Sequence, residues 1–263
     1  MLGIMPISGN RVGRRSRSAI MWKRVISVMA MGSALAVIAA VLAALAAGQG
    51  NRLEWWDYRM ALTILRVSVW TGLGGALTAL LCAAALRRAR TAWTWAIAGT
   101  LVAGSLYAVP LWHQQQRPPG AGMHDITTNT ADPPLYVAIL ALRKNAPLST
   151  EYTAEKARRQ KAAYPEIAPL LLPQPPALAY ERLLSQVKAS GWQVVAAEAG
   201  EGRIEATATS FFMGFKDDVV IRIAAQGGGT VVDMRSMSRV GGSDFGANAR
   251  RIREFFRGVS GNS

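Results

Sequence analysis

The sequence predicts an α+β protein: three N-terminal transmembrane helices, then an extracytoplasmic domain with a four-stranded antiparallel sheet and packed helices. Three observations carry this. Residues 25–47, 67–86 and 91–112 are uncharged apolar runs, each near the roughly 20 residues that a helix needs to cross a hydrocarbon core. Downstream, a helical period gives way to four stretches of strand alternation and then to a second helical period. Finally, residues 1–112 hold 12 Lys/Arg against 2 Asp/Glu, whereas residues 113–263 hold 18 against 14. That distribution fits the basic flanks of membrane helices better than a nucleic-acid surface, so nucleic acid is not expected as a partner.

Residues 1–24 read as a basic cytoplasmic tail, with Arg11, Arg14, Arg15, Arg17, Lys23 and Arg24 ahead of the first span. The run 25–47 is too long for the apolar region of a cleaved signal peptide. Arg87, Arg88 and Arg90 sit without an acid between the second and third runs, while Arg52, Arg59 and Arg66 are mixed with Glu54 and Asp57. The more basic flanks face the cytoplasm. Three crossings then place residues 113–263 outside, which in a bacterial inner membrane means the periplasm. Trp93, Trp95 and Trp112 are positioned as interfacial anchors. The segment "NRLEWWDYRMAL", residues 51–62, reads either as an amphipathic stretch on headgroups or as a contact surface for the outer domain or a partner.

Residues 113–122, "HQQQRPPGAG", form a polar linker to the outer domain, residues 123–263. "DITTNTADPP" reads as a loop and "LYVAIL" as a short buried strand or extended arm. Residues 150–164 favour helix and stop at Pro165, and "PEIAPLLLPQPP" is extended. "PALAYERLLSQVKASG" opens with proline and closes with Gly191, as a helix does, with Tyr180, Leu183, Leu184 and Val187 on one face. "WQVVAAE", "RIEATATS", "DDVVIRIAAQ" and "TVVDMRSMSRV" follow as strands, separated by short Gly-rich turns that favour a meander with helices on one face. A final helix is expected from Asp244 to about Arg257, with Phe245, Ala249, Ile252 and Phe256 as its apolar side.

Two longer stretches, "EGRIEATATSFFMGFKDDVVIRI" and "VDMRSMSRVGGSDFGANARRI", together with "AAYPEIAPL" and the membrane runs, resemble the membrane-anchored bacterial branch of the domain-of-unknown-function family 1499. The resemblance covers most of residues 123–257 and implies no established reaction. Many relatives carry Cys-Val-Ser-Ser near the domain start. Here Asp125 to Thr128, "DITT", stands in that place, so a cysteine-based role is not carried over. The single cysteine, Cys82, lies in an apolar run and forms no internal disulfide.

Three places could carry chemistry. In "GGSDFGANARRIREFF", residues 241–256, Ser243 or Asp244 can cap the last helix. The sharper reading makes the turn an anion cradle at a helix N-terminus, with Arg239, Asn248 and Arg251 nearby. In "GFKDDVV", parity puts Asp217 with the inward Val219, Ile221 and Ile223, and Asp218 on the outward face. An inward carboxylate needs a partner, for which Arg235, Arg239 and Arg251 are candidates. His124 precedes Asp125 in a loop and could form an acid–base pair with Asp217. No metal site of zinc spacing, P-loop or dinucleotide fingerprint is present, and no cofactor is expected. The expected function is a binding or interaction module at the membrane, with the lipid bilayer and an envelope protein or anionic ligand as partners. The alternatives are a membrane-anchored hydrolase using His124, Asp217 or Asp218, and a structural partner in an envelope complex.

Overall fold

The computed structural model describes residues 11–86, 93–101, 104–105, 122–241 and 243–261. They fall into two compact units, one made of residues 1–48 and 59–109, the other of residues 49–58 and 110–263.

In the first unit, helix α1 (Arg11–Arg52) already begins within the basic tail, and α2 spans Tyr58–Leu86. Two stretches, Ile20–Arg52 and Tyr58–Ala85, are long and apolar enough to cross a membrane. The expected three spans are thus two among the described residues. Half of the third run, 91–112, lies outside them, as do Arg87, Arg88, Arg90 and Trp112. Its described residues 93–101 and 104–105 are helical. The side chains are arranged inside out relative to a soluble core. Ala40, Ala44, Ala76, Ala79 and Ala83 are buried, while Leu35, Leu42, Leu77 and Leu81 point outward. Small residues let the backbones approach: a Cβ at Gly99 would lie 2.8 Å from Val37 Cγ2 and 3.1 Å from Ala76 Cβ.

The second unit is an antiparallel sheet of six strands, not four: β1 (Asp125–Thr127), β2 (Leu170–Leu172), β3 (Gln193–Glu198), β4 (Arg203–Thr209), β5 (Lys216–Gln226) and β6 (Gly229–Ser238). The expected meander β3–β4–β5–β6 is present, and β1 and β2 both pair with the outer edge of β6. Three residues are too few to show alternation, so β1 read as a loop. Prolines before and after β2 hid it, although proline is tolerated on an edge strand. Gly227 and Gly228 take positive φ in the β5–β6 hairpin, as a tight turn with the strand twist requires.

Helix α4 (Pro176–Ala189) and helix α5 (Ala247–Gly261) lie on one face of the sheet. There Leu183, Val187, Ile252 and Phe255 pack with Ile204, Val219, Ile221 and Met234. Phe255, rather than Phe256, supplies the buried ring on α5, and Phe245 is exposed ahead of the helix. Helix α3 (Ala154–Ala163) is capped by Thr153 and clasps β1 through Gln160, which donates to Thr127 O and accepts from Thr127 N.

The other face of the sheet is not open. Residues 129–150 wrap across it, and Tyr136 and Ile139 pack on Val220 and Met237. "LYVAIL" is therefore no strand; its second half belongs to a 3₁₀ turn, Ala138–Arg143. The carboxylate of Glu205, fully buried, accepts the backbone N–H groups of Val137, Ala138 and Ile139. An anion that gathers the free donors of a helical start outweighs local strand propensity.

Candidate functional site

The candidate residues sit in two separate networks on opposite faces of the sheet. On the helix face, Asp244 precedes α5 and accepts from Gly246 N and Asn248 N. Asn248, on the first turn, is buried; its amide nitrogen donates to Ser238 Oγ, His124 O and Asp244, and its oxygen accepts from Ser236 and Arg251. Arg251, one turn further, reaches Asp217 Oδ2 at 2.5 Å. Asp217, Asp244, Asn248 and Arg251 thus lie in one chain of bonds, Asp217 to Arg251, Arg251 to Asn248 and Asn248 to Asp244. Ser243 Oγ accepts from Phe245 N. The helix starts at Ala247 rather than Asp244, because Phe245 and Gly246 take positive φ.

Burial raises the pKa of Asp244 above the ordinary 3.8, with the Asn248 and Gly246 N–H groups and the charge of His124 pulling the other way. A carboxyl whose folded pKa is raised holds its proton longer in the native state. Its contribution is complete below 3.8 and is lost as pH climbs through the raised value. Asp244→Asn keeps a carbonyl acceptor for the cap and cannot ionise. The variant is expected to fold with near-native stability at neutral pH and to gain on the native protein as pH rises through that window. Denaturation of both proteins across a pH series checks this; a gain in the opposite direction refutes it.

Arg239 does not join the turn. It lies on the opposite face, where its Nε and Nη2 hold Asp218. Asp218 Oδ2 also takes Arg143 Nη1 at 2.7 Å, and Oδ1 accepts from Thr207. Parity correctly separated Asp217 from Asp218, but the expectation that Asp218 faces solvent is wrong. Its exposure is 0%, against 7% for Asp217. Beside it, Arg235 grips Asp125 with two 2.8 Å bonds and lies 5.0 and 5.4 Å from the ring centres of Tyr136 and Tyr152. Burial works against the Arg235 charge, but the bonds and charge of Asp125 more than offset it and raise its pKa. Burial, reinforced by Asp125, holds the Tyr136 phenol well above its usual range, so it stays protonated and donates to Asp218 O. Arg222 completes the layer with Asp233 and Asp132.

His124 lines a cavity of about 240 Å³ with Asp125, Ser149, Lys156 and Arg159, and its Nδ1 is buried without a hydrogen-bond partner. No hydrogen bond joins it to Asp217 among the described residues. His124, Asp217 and Asp218 do not converge on one cavity. Nor do the described residues contain a cluster of three His, Cys, Asp or Glu side chains able to hold a metal ion.

A larger cleft, about 500 Å³, opens where residues 49–58 meet the β4–β5 loop. Glu54, Trp56, Tyr58, Asn145, Lys216 and Arg239 line it. Here the end of α1 and the chain after it are bonded to the β4–β5 loop and the start of β5. Asn51 donates to Met213 O, Arg52 to Phe211 O, and Lys216 pairs with Glu54 at 2.7 Å.

A family model described as a protein of unknown function, DUF1499, matches residues 125–259, just over half of the chain. The chain belongs to the DUF1499 family. A comparison with curated proteins finds no match. The DUF1499 match runs from the first residue of β1 almost to the end of α5, so it takes in both networks. Residues 49–58 and the apolar helices lie outside it.

Sequence reasoning passed over Arg143 and Glu205, gave Asp125 no role, and named Arg235 only as a candidate partner for Asp217, whereas it pairs with Asp125. One signal was available. Arg203, Glu205, Asp218, Arg222, Asp233 and Arg235 share one strand parity across three neighbouring strands. Three cations and three anions on one face read as a solvated surface, but they equally describe a layer that neutralises itself.

Proposed function

We propose that this DUF1499 protein is a membrane-anchored binding module whose α+β domain works on the outer side of the membrane, close to the bilayer. The bonding of residues 49–58 to the β4–β5 loop carries this reading. A short connector between two spans lies at one boundary of the bilayer. A domain bonded to that connector is on the same side. After the connector the chain crosses once with α2, so returning to that side needs one more crossing before the domain begins. The apolar run 91–112 is where the sequence offers it, which restores the expected three spans. The basic residues in the N-terminal part of α1 and those at 87–90 then lie on the inner side, as the charge rule requires. The cleft beside Trp56, Tyr58 and Lys216 gives a ligand with both apolar and charged parts a place at that boundary.

Alkaline phosphatase fused after Ser263 is expected to be active and a fusion after Arg90 inactive. The reverse pattern would overturn the orientation, and two active fusions would overturn the third crossing. A second reading, an envelope-protein partner, is favoured by Leu135, Val137, Leu140 and Leu142, four exposed aliphatic side chains within eight positions of the wrap.

A further inference from the structure

We propose that the β4–β5 loop is a second membrane contact, with Phe211 and Phe212 at its tip resting in the interfacial layer beside the connector. The proposal rests on the reading that α1 and α2 cross the bilayer.

Phe211 is 90% exposed, and it is not alone, which matters because a group of exposed large apolar side chains is informative where a single one is not. Phe212, Leu53 and Trp55 are exposed as well. Leu53 directly follows the last residue of α1, and Trp55 comes two residues later, so these two side chains sit at the boundary of the span by connectivity alone. The phenylalanine loop is fastened to them through its backbone. The carbonyls of Phe211 and Met213 accept from Arg52 and Asn51, which leaves the rings free of that contact. The loop is also closed on itself. Ser210 N donates to Phe215 O, Gly214 N to Ser210 O, and Phe215 N to Ser210 Oγ. A pre-formed tip loses little freedom when it docks. Aromatic rings with Arg52 and Lys216 beside them match the composition of the bilayer interface, where amphipathic rings sit at headgroup depth and cations meet anionic lipids.

The test uses the full chain in nanodiscs of phosphatidylethanolamine and phosphatidylglycerol. With Cys82→Ala as background, nitroxide labels are placed singly at Phe211→Cys, at Gln226→Cys beside the opposite hairpin, and at Leu77→Cys on the outward face of α2. Accessibility to oxygen, which concentrates in lipid, is compared with accessibility to a water-soluble nickel chelate. The expected result is a ratio at position 211 close to that at 77 and well above that at 226. If 211 behaves like 226 while 77 is lipid-like, the loop proposal fails and the anchoring stands. If 77 is also aqueous, both fail. A label at 211 that neither reagent reaches means a protein covers the loop, which overturns the proposal too.

Discussion

Asp218→Ala is expected to remove about 3–5 kcal/mol from the stability of the α+β domain, because breaking a buried ion pair from one side leaves its partners charged and dry. Two guanidinium groups lose their counter-ion in this case. Arg143 and Arg239 both bind the one carboxylate, and Thr207 loses its acceptor with them. Asp217→Ala is expected to cost less, about 1–2 kcal/mol, since Arg251 keeps Ser236 and Asn248 as partners and reaches solvent. Native-state hydrogen exchange of the β5 and β6 amides, measured on the full chain in mild detergent, reads the domain's opening free energy directly. Equal losses from the two substitutions would show that the wrap over Asp218 does not exclude water. Replacing Arg143, Asp218 and Arg239 together by apolar residues of similar volume is expected to restore most of the loss, because no charge is then left unpaired.

The second large effect is expected at Arg235. Arg235→Ala takes both short bonds from the Asp125 carboxylate, which is only 2% exposed, and leaves it the longer contact to Lys156 at 3.3 Å. It also empties the space between the Tyr136 and Tyr152 rings and leaves the carbonyls of Pro134 and Thr150 without a donor. A loss of about 3–5 kcal/mol follows from the same reasoning. Arg235→Lys is expected to recover only a minor part. An ammonium on a flexible stem cannot make the paired contact to Asp125 while reaching both carbonyls, and it does not stack between rings as a planar guanidinium does. Recovery to near-native stability with lysine would mean that charge alone matters at this position.

The sequence made the helix face legible and the opposite face illegible, for a physical reason. Ile204, Val219, Ile221 and Val232 alternate with polar residues, and that alternation names both the strands and the side on which α4 and α5 pack. The pairing of Asp217 with Arg251 was accessible by the same parity. Alternation, however, marks only the apolar side. It cannot distinguish a face wetted by solvent from one covered by a segment that answers charge with charge. The wrap of residues 129–150 carries its complementarity in backbone N–H groups offered to Glu205, in Arg143 and in Asp132, which pairs with Arg222, and none of these has a period. Arg239 was assigned to the turn at Asp244 because it is close in sequence, but the last residues of a strand project to alternate faces. The two long apolar helices were legible from length and lack of charge. That the connector between them is bonded to the α+β domain was open as one of two readings of "NRLEWWDYRMAL", and long-range hydrogen bonds to carbonyls at Phe211 and Met213 leave no trace in local pattern.

The outer edge of β6 is shared by β1 and β2, and the gap between them is bridged by Thr128, whose N–H donates to Met234 O and whose hydroxyl accepts from Met234 N. That side of the sheet ends in two strands of three residues each, too short to offer a neighbouring chain a long run of donors and acceptors. The remaining margin, β3, is six residues long, bears Gln193 and Glu198 at its ends and is interrupted by a bulge between Val194 and Ala196, features that discourage growth by strand addition. One margin broken into two short strands and the other kinked amount to protection against polymerisation through the sheet, built from two three-residue strands, a threonine and a bulge.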